Sequence, residues 1–348
     1  MIAARLSSAL HDLAESPLAE SGAQALDRLL TRRQVALEPA LLADRHEIAT
    51  ADAGIISYYA DTSAGGPPVV LLHGIHAAAS AYEMRPLFEA LRKHRSVYAL
   101  ELPGFGFSER SSRPYTPTTY VHAVEHLLRN VSIREPADVI ALSLSCEYAA
   151  KVAVEMPELV RSLVLISPTG FSADHETGRL ERFARRKKSP LPSALADSVP
   201  GRLFYELLVS RLSLRYFLRR SFESGVDRGL LNYAFETSHQ PGAWRAPLAF
   251  VAGRLFPSGS PRNIYAHVRA PVLVLYDHDA HTRFGALLEF EDEHKNFSSR
   301  RVSHTRGLPQ FEAPKQTLEA LQHFYEGFDT RRAVQPIPIH GGRHLGSA

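Results

Sequence analysis

The 348 residues carry 40 Lys and Arg against 37 Asp and Glu, with 17 His and a single Cys. A hydrophobic fraction of 45% with 22% charged residues excludes disordered and fibrous classes. The lone cysteine, Cys146, excludes a disulfide framework and any Cys-rich zinc module, and a net charge of +3 does not call for nucleic acid.

No stretch reaches the ~18 consecutive apolar residues of a membrane-spanning helix. Arg5, His11 and Asp12 interrupt what a secretory signal would need as an apolar core, so a cytoplasmic location is expected. Residues 1–44 have helical spacing (Leu6, Leu10, Leu13; Ala25, Leu26, Leu29, Leu30) and are read as an N-terminal extension. A β-like stretch from Glu47 to Ala60 turns around Asp52-Ala53-Gly54. Strands are then predicted at Val69–Leu72, Val97–Leu100, Val139–Leu142 and Leu163–Ile166. Helices are predicted between them, near Ala81–Lys93, Thr118–Asn130 and up to Met156.

Apolar strands alternating with helix-length crossovers predict a mostly parallel sheet covered on both faces. The alternation stops after Gly170 and resumes at Val272–Tyr276, ending in a helix over about Lys315–Phe328. The expected organisation is an α/β core over 45–170 and 263–328, interrupted by a helical insertion over 171–262. A loose tail is expected over 329–348.

Ala141-Leu142-Ser143-Leu144-Ser145 joins a buried strand to a helix in a small-x-Ser-x-small pattern. A nucleophile held on a strained strand-to-helix turn needs small flanks, and the helix start offers N–H groups to an oxyanion. Ser145 is the poorer candidate because Glu147 would be its flank. The strand Val69–Leu72 runs into His73-Gly74-Ile75, where the glycine lets the Ile75 N–H turn towards the same pocket as the Leu144 N–H.

These segments, with Glu101–Ser108 (ELPGFGFS) and Pro157–Pro168 (PELVRSLVLISP), resemble an α/β-hydrolase fold over 47–328, outside the insertion. Ser143 is similar to the serine nucleophile of the esterase, lipase, peptidase and C–C hydrolase branches. The resemblance implies a helical cap for the insertion and an acid in the loop after the strand that follows it. Asp279 is the expected acid, with Asp277 second and a plain turn residue as the alternative. It also implies a histidine five residues before a Glu-x-Pro. Here that tripeptide is Glu312-Ala313-Pro314, and the position holds Gly307. A serine hydroxyl needs an adjacent base, so His304 is the candidate, then His281; otherwise the chain has given up triad chemistry.

Other patterns are weaker. His122-Ala123-Val124-Glu125-His126 has the form of an inverted zinc-protease motif but lacks a third ligand. His278-x-x-His281 and His340 with His344 are likewise incomplete, and no metal or cofactor is expected. Cys146 is read as a buried core residue, and Arg306 and Gln310 are positioned for polar roles. Between Gly170 and Ser260 the insertion holds 14 Lys and Arg against 8 Asp and Glu. Its basic run lies at Arg179–Lys188, and Arg211, Arg215 and Arg219 share one helical face opposite an apolar side.

The expected function is a serine hydrolase acting on a hydrophobic ester or related acyl substrate. Alternatives are a triad-deficient member that binds an apolar ligand or catalyses a lyase- or isomerase-type step, and a protein that meets an anionic membrane through its basic cap.

Overall fold

The four apolar runs 69–72, 97–101, 137–142 and 160–166 are strands whose side chains are almost all buried, as a sheet covered on both faces requires. In this computed structural model the described residues are 36–173 and 198–334. Side chains of 199 and 328–334 are outside the description. Eight strands are present: β1 (Asp44–Thr50), β2 (Gly54–Asp61), β3 (Val69–Leu72), β4 (Val97–Glu101), β5 (Ala137–Leu142), β6 (Val160–Ile166), β7 (Val272–Tyr276) and β8 (Phe297–Arg301). Their order is β1-β2-β4-β3-β5-β6-β7-β8. β2 is antiparallel to both β1 and β4, and every other pair is parallel.

Helices α1 (Arg85–Leu91), α2 (Pro117–Val131) and α3 (Ser145–Glu155) follow β3, β4 and β5. α2 begins with Pro117 after Thr116, whose hydroxyl accepts the Thr119 N–H at 3.3 Å. Between β6 and β7 lie α4 (Val199–Leu208), α5 (Arg211–Arg219), α6 (Arg228–Ser238), α7 (Arg245–Val251) and α8 (Pro261–Tyr265). The chain closes with α9 (Leu287–Glu293), α10 (Pro309–Glu312) and α11 (Pro314–Val334).

The predicted strands and crossovers all form. The last helix runs past the expected end at Phe328, so residues 329–334 are helical and not tail. Residues 36–43 are irregular chain and not helix; Ala40 and Leu41 are buried there, and the Ala40 N–H donates to the Tyr59 hydroxyl at 2.9 Å. The remainder of the predicted N-terminal extension, the basic run Arg179–Lys188, and His340 with His344 fall outside the described residues.

Two apolar clusters pack on opposite faces of the sheet. At the N-terminal edge of β5 the buried Asp138 binds Arg95 at 2.6 Å and the Arg161 Nε at 2.9 Å, and it accepts the Ser162 hydroxyl at 2.5 Å. One carboxylate thus ties β5 to β6 and to the segment before β4. At the opposite edge the inserted helices rest on the loops after β3, β4 and β8. The Tyr205 hydroxyl donates to Ala77 O at 3.3 Å, and Arg245 donates to Arg110 O at 2.7 Å. The Glu223 and Ser224 amides meet Glu312 Oε1 at 2.6 and 3.0 Å.

Candidate active site

Ser143 stands between β5 and α3 with φ +55, a left-handed conformation that costs a side-chain-bearing residue roughly 1–2 kcal/mol. The turn is held from both sides. The Ser143 N–H donates to Ile166 O at 2.9 Å, and the Cys146 N–H donates to Ser143 O at 3.1 Å. Because β3 and β5 are neighbours (Leu72 opposite Ala141), Ile75 and Leu144 follow adjacent strand ends. Neither backbone N–H has a hydrogen-bond partner among the described residues. Two unspent amides beside a strained serine can receive the negative oxygen of a tetrahedral intermediate.

The frame around them is tied by polar bonds. His73 is buried; its Nδ1–H donates to Gly74 O at 2.7 Å and its Nε2 accepts the Leu102 N–H at 3.0 Å. Burial pushes this ring down to about 4, so it stays neutral. The Ser145 hydroxyl donates to His73 O at 2.5 Å, which commits it to the frame. The Cys146 thiol is buried against Ala141 O at 3.2 Å and burial raises it well above its usual range, so it is no thiolate. Sequence reasoning passed over Glu83, which accepts the Gly74 N–H at 2.8 Å and the His76 Nε2–H. His76 Nδ1 accepts the Ala78 N–H at 3.2 Å.

Behind this frame Glu101 is fully buried. Its Oε2 accepts the Ala81 N–H at 2.9 Å, yet burial pushes the carboxyl up to about 8. A Cβ on Gly106, where φ is +51, would fall 1.9 Å from Glu101 Cδ, so only glycine fits there.

The two aspartates after β7 have different surroundings. Asp277 is an anchor: Oδ1 pairs with Arg301 Nε at 2.7 Å and Oδ2 accepts the Thr305 N–H at 3.1 Å. Burial would raise it, but these partners outweigh burial and hold it below the usual carboxylate range. Asp279 Oδ1 accepts the His281 and Thr282 amides at 2.6 and 3.1 Å. Burial pushes this carboxyl up to about 6 despite those amides and the hydroxyl of Ser167. Ser167, not anticipated from sequence, directly follows β6 at φ +46. The signal available for it was its place directly after a buried strand beside the serine turn.

Gly307 faces Asp279. A Cβ built on it would stand 2.8 Å from Asp279 Oδ2, and its φ is +104. His304 is elsewhere: exposed on the turn after β8 at φ +64, with no hydrogen bond among the described residues. The structure therefore does not join His304 to Ser143 or Asp279. The neighbouring Thr305 amide is fixed on Asp277, which holds the turn outward. His281 meets Asp279 through its main chain. Gln310 is buried and donates to Glu83 O at 2.9 Å, whereas Arg306 is exposed and its N–H donates to Glu312 Oε2 at 2.7 Å.

His122 and His126 both bind Asp52, at 2.6 and 2.9 Å. Among the described residues no group of three or more His, Cys, Asp or Glu is placed to hold a metal ion, and no helix is long and apolar enough to cross a membrane.

Residues 69–320 match the model of the alpha/beta hydrolase family. The chain belongs to that family. A pimeloyl-[acyl-carrier protein] methyl ester esterase of Xylella fastidiosa is 31% identical over 113 residues, covering 32% of this chain and 40% of that protein. A 2-hydroxymuconate semialdehyde hydrolase of a Pseudomonas species is 34% identical over 122 residues, covering 34% and 42%. The match thus spans about 40% of the length of these curated relatives. Among solved structures, a membrane phospholipase A described as a bacterial virulence factor superposes with a TM-score of 0.65 at 20% identity. It covers 94% of this chain and 98% of its own, a likeness of fold.

Proposed function

We propose that this alpha/beta hydrolase cleaves carboxylic esters of hydrophobic acyl groups through Ser143, with Asp279 receiving the proton, since among the described residues no imidazole is hydrogen-bonded to Ser143. One observation carries the reading: a serine held at φ +55 beside two amides, Ile75 and Leu144, that nothing in the described structure uses. Strain of this kind persists where the surroundings over-determine it, and it concentrates at functional sites.

In the proposed reaction the Ser143 oxygen adds to the ester carbonyl while its proton passes to the Asp279 carboxylate. The carbonyl oxygen becomes an oxyanion held by the two amides. The intermediate collapses, the alkoxide leaves with the proton from Asp279, and water repeats the sequence on the acyl-serine. A carboxyl raised to about 6 is a stronger base than an ordinary aspartate, which is what this role requires. Loss of the imidazole is expected to cost a factor of about 10²–10⁴. The ester and hydrolase activities in the names of the partial relatives support the substrate class.

A second reading, in which the serine and amides only hold a carbonyl ligand or promote a non-hydrolytic step, is favoured by Gly307 at the base position. A fluorophosphonate probe separates the two. Slow covalent labelling of wild type that disappears in Ser143→Ala, with parallel loss of p-nitrophenyl butyrate turnover, supports the hydrolase. No labelling, or labelling unchanged by that substitution, overturns it.

The inserted helices are proposed to act as a cap whose outer face meets anionic lipid. Leu207, Leu212, Tyr216 and Phe217 are exposed along α4 and α5, Leu212 by 83%, and the exposed Arg211, Arg215 and Arg219 lie among them. Apolar side chains interleaved with arginines match the chemistry of an anionic bilayer surface.

A further inference from the structure

An arginine-lined concavity lies on the outer side of the Asp279 loop. It is an open cleft of about 710 Å³, and four arginines line it: Arg220, Arg283, Arg301 and Arg306. Arg301 is spent on Asp277. The other three have no carboxylate within ion-pair distance among the described residues. They come from three separate segments: the end of α5, the loop after β7 and the loop before α10. Their convergence is therefore a product of the fold and not of a basic run in the sequence.

Two of the three side chains are held. Arg283 Nη1 donates to the carbonyls of Asp279 and Thr282 at 2.7 and 2.8 Å, which fixes the guanidinium plane. Arg220 Nη1 donates to the Tyr216 hydroxyl at 3.4 Å, while its Nε is buried with no partner among the described residues. A buried guanidinium N–H left unmet is costly, and three like charges sharing one cleft repel. An anion with several oxygens relieves the repulsion, because a guanidinium fork meets two phosphate oxygens at once. The Tyr276 and Phe284 rings, 5.2 Å apart, form an apolar wall of the same cleft.

We infer that this cleft is a phosphate-binding site, taking the phosphate of a ligand on Arg220, Arg283 and Arg306. Of the acids in it, Asp277 is neutralised by Arg301, while Asp279, whose Oδ1 accepts two backbone amides, balances only part of the charge of Arg283. The site is independent of whether Ser143 is a nucleophile.

Calorimetric titration of the full chain with inorganic pyrophosphate tests the assignment. Saturable binding is expected, weakened at least tenfold in Arg283→Ala and in Arg306→Ala. Arg306→Lys, which keeps the charge but not the fork, should fall between. Arg269→Ala, an exposed arginine before β7 and outside the cleft, should bind as wild type. Absence of saturable binding, or an equal loss in Arg269→Ala, overturns the proposal. The exposed Arg306 side chain makes misfolding of its variants easy to exclude by the unfolding midpoint. Vesicles of phosphatidic acid and soluble glycerol phosphate identify the source. With the α4–α5 face disabled by Leu212→Glu, vesicle sedimentation that remains and is lost on adding Arg306→Ala assigns a lipid headgroup; binding of the soluble phosphate alone, lost in Arg306→Ala, assigns a free ligand.

Discussion

The carboxylate of Asp279 lies against the bare Cα of Gly307: a methyl group there would come within 2.8 Å of Oδ2. With φ at +104 the position also rejects side chains on backbone grounds. Gly307→Ala should therefore destabilise the fold by about 1–3 kcal/mol. Gly307→His should destabilise it at least as much without restoring a triad. Urea unfolding and p-nitrophenyl butyrate turnover check this. A histidine variant of wild-type stability and tenfold greater turnover would show that the loop is not arranged as described.

Asp279 makes a signed prediction about pH. Its carboxyl rises from 3.8 to about 6 on folding, so between those values the folded chain holds a proton that the unfolded chain has lost. Stability contributed by this group is complete below about pH 4 and is lost as pH rises through about 6. Glu101, raised to about 8, adds its own decline at higher pH. The readout is thus the difference between wild type and Asp279→Asn in unfolding midpoints at pH 4, 5, 6 and 7. Ser143-dependent turnover should move the opposite way, rising through pH 6 as the carboxylate forms.

Ser143→Gly should raise stability by about 1 kcal/mol, because glycine accepts φ +55 without strain. Ser143→Ala keeps the strain and should leave the melting temperature near wild type. Both should abolish fluorophosphonate labelling. A calorimetric scan of the pair separates backbone relief from loss of the hydroxyl.

Asp138→Ala removes the shared counter-ion of Arg95 and Arg161, both largely shielded from water. The expected cost is about 3–5 kcal/mol, the usual penalty for leaving buried charge unpaired. Asp138→Asn, which keeps hydrogen-bonding oxygen and volume, should cost less. Equal losses would mean that shape and not charge holds this edge of β5.

Cosedimentation with phosphatidylglycerol vesicles tests the outer face of α4 and α5. Binding should fall with added salt and should drop at least fivefold in Arg215→Glu and in Leu212→Glu, with phosphatidylcholine vesicles unbound. Binding unaffected by both substitutions would remove lipid as the partner of this face.

The core was legible because strands buried on both faces read as unbroken apolar runs. Val272–Tyr276 was placed to the residue. β8 was harder, since Phe297-Ser298-Ser299-Arg300-Arg301 lies at the sheet edge, where water satisfies its polar side chains. The serine turn could be read because its strain demands small flanks, a local requirement. Asp279 against Gly307 could be suspected only from spacing. The locations of His304, Ser167 and Arg220 could not be read at all, because loop direction is set by tertiary bonds such as Thr305 to Asp277.

Glu312 carries one more consequence. Its carboxylate holds the Arg306 amide with one oxygen and the Glu223 and Ser224 amides with the other. The inserted segment and the Gly307 loop are therefore cross-linked through one carboxylate, so a substitution at Glu312 would unfasten both ends together.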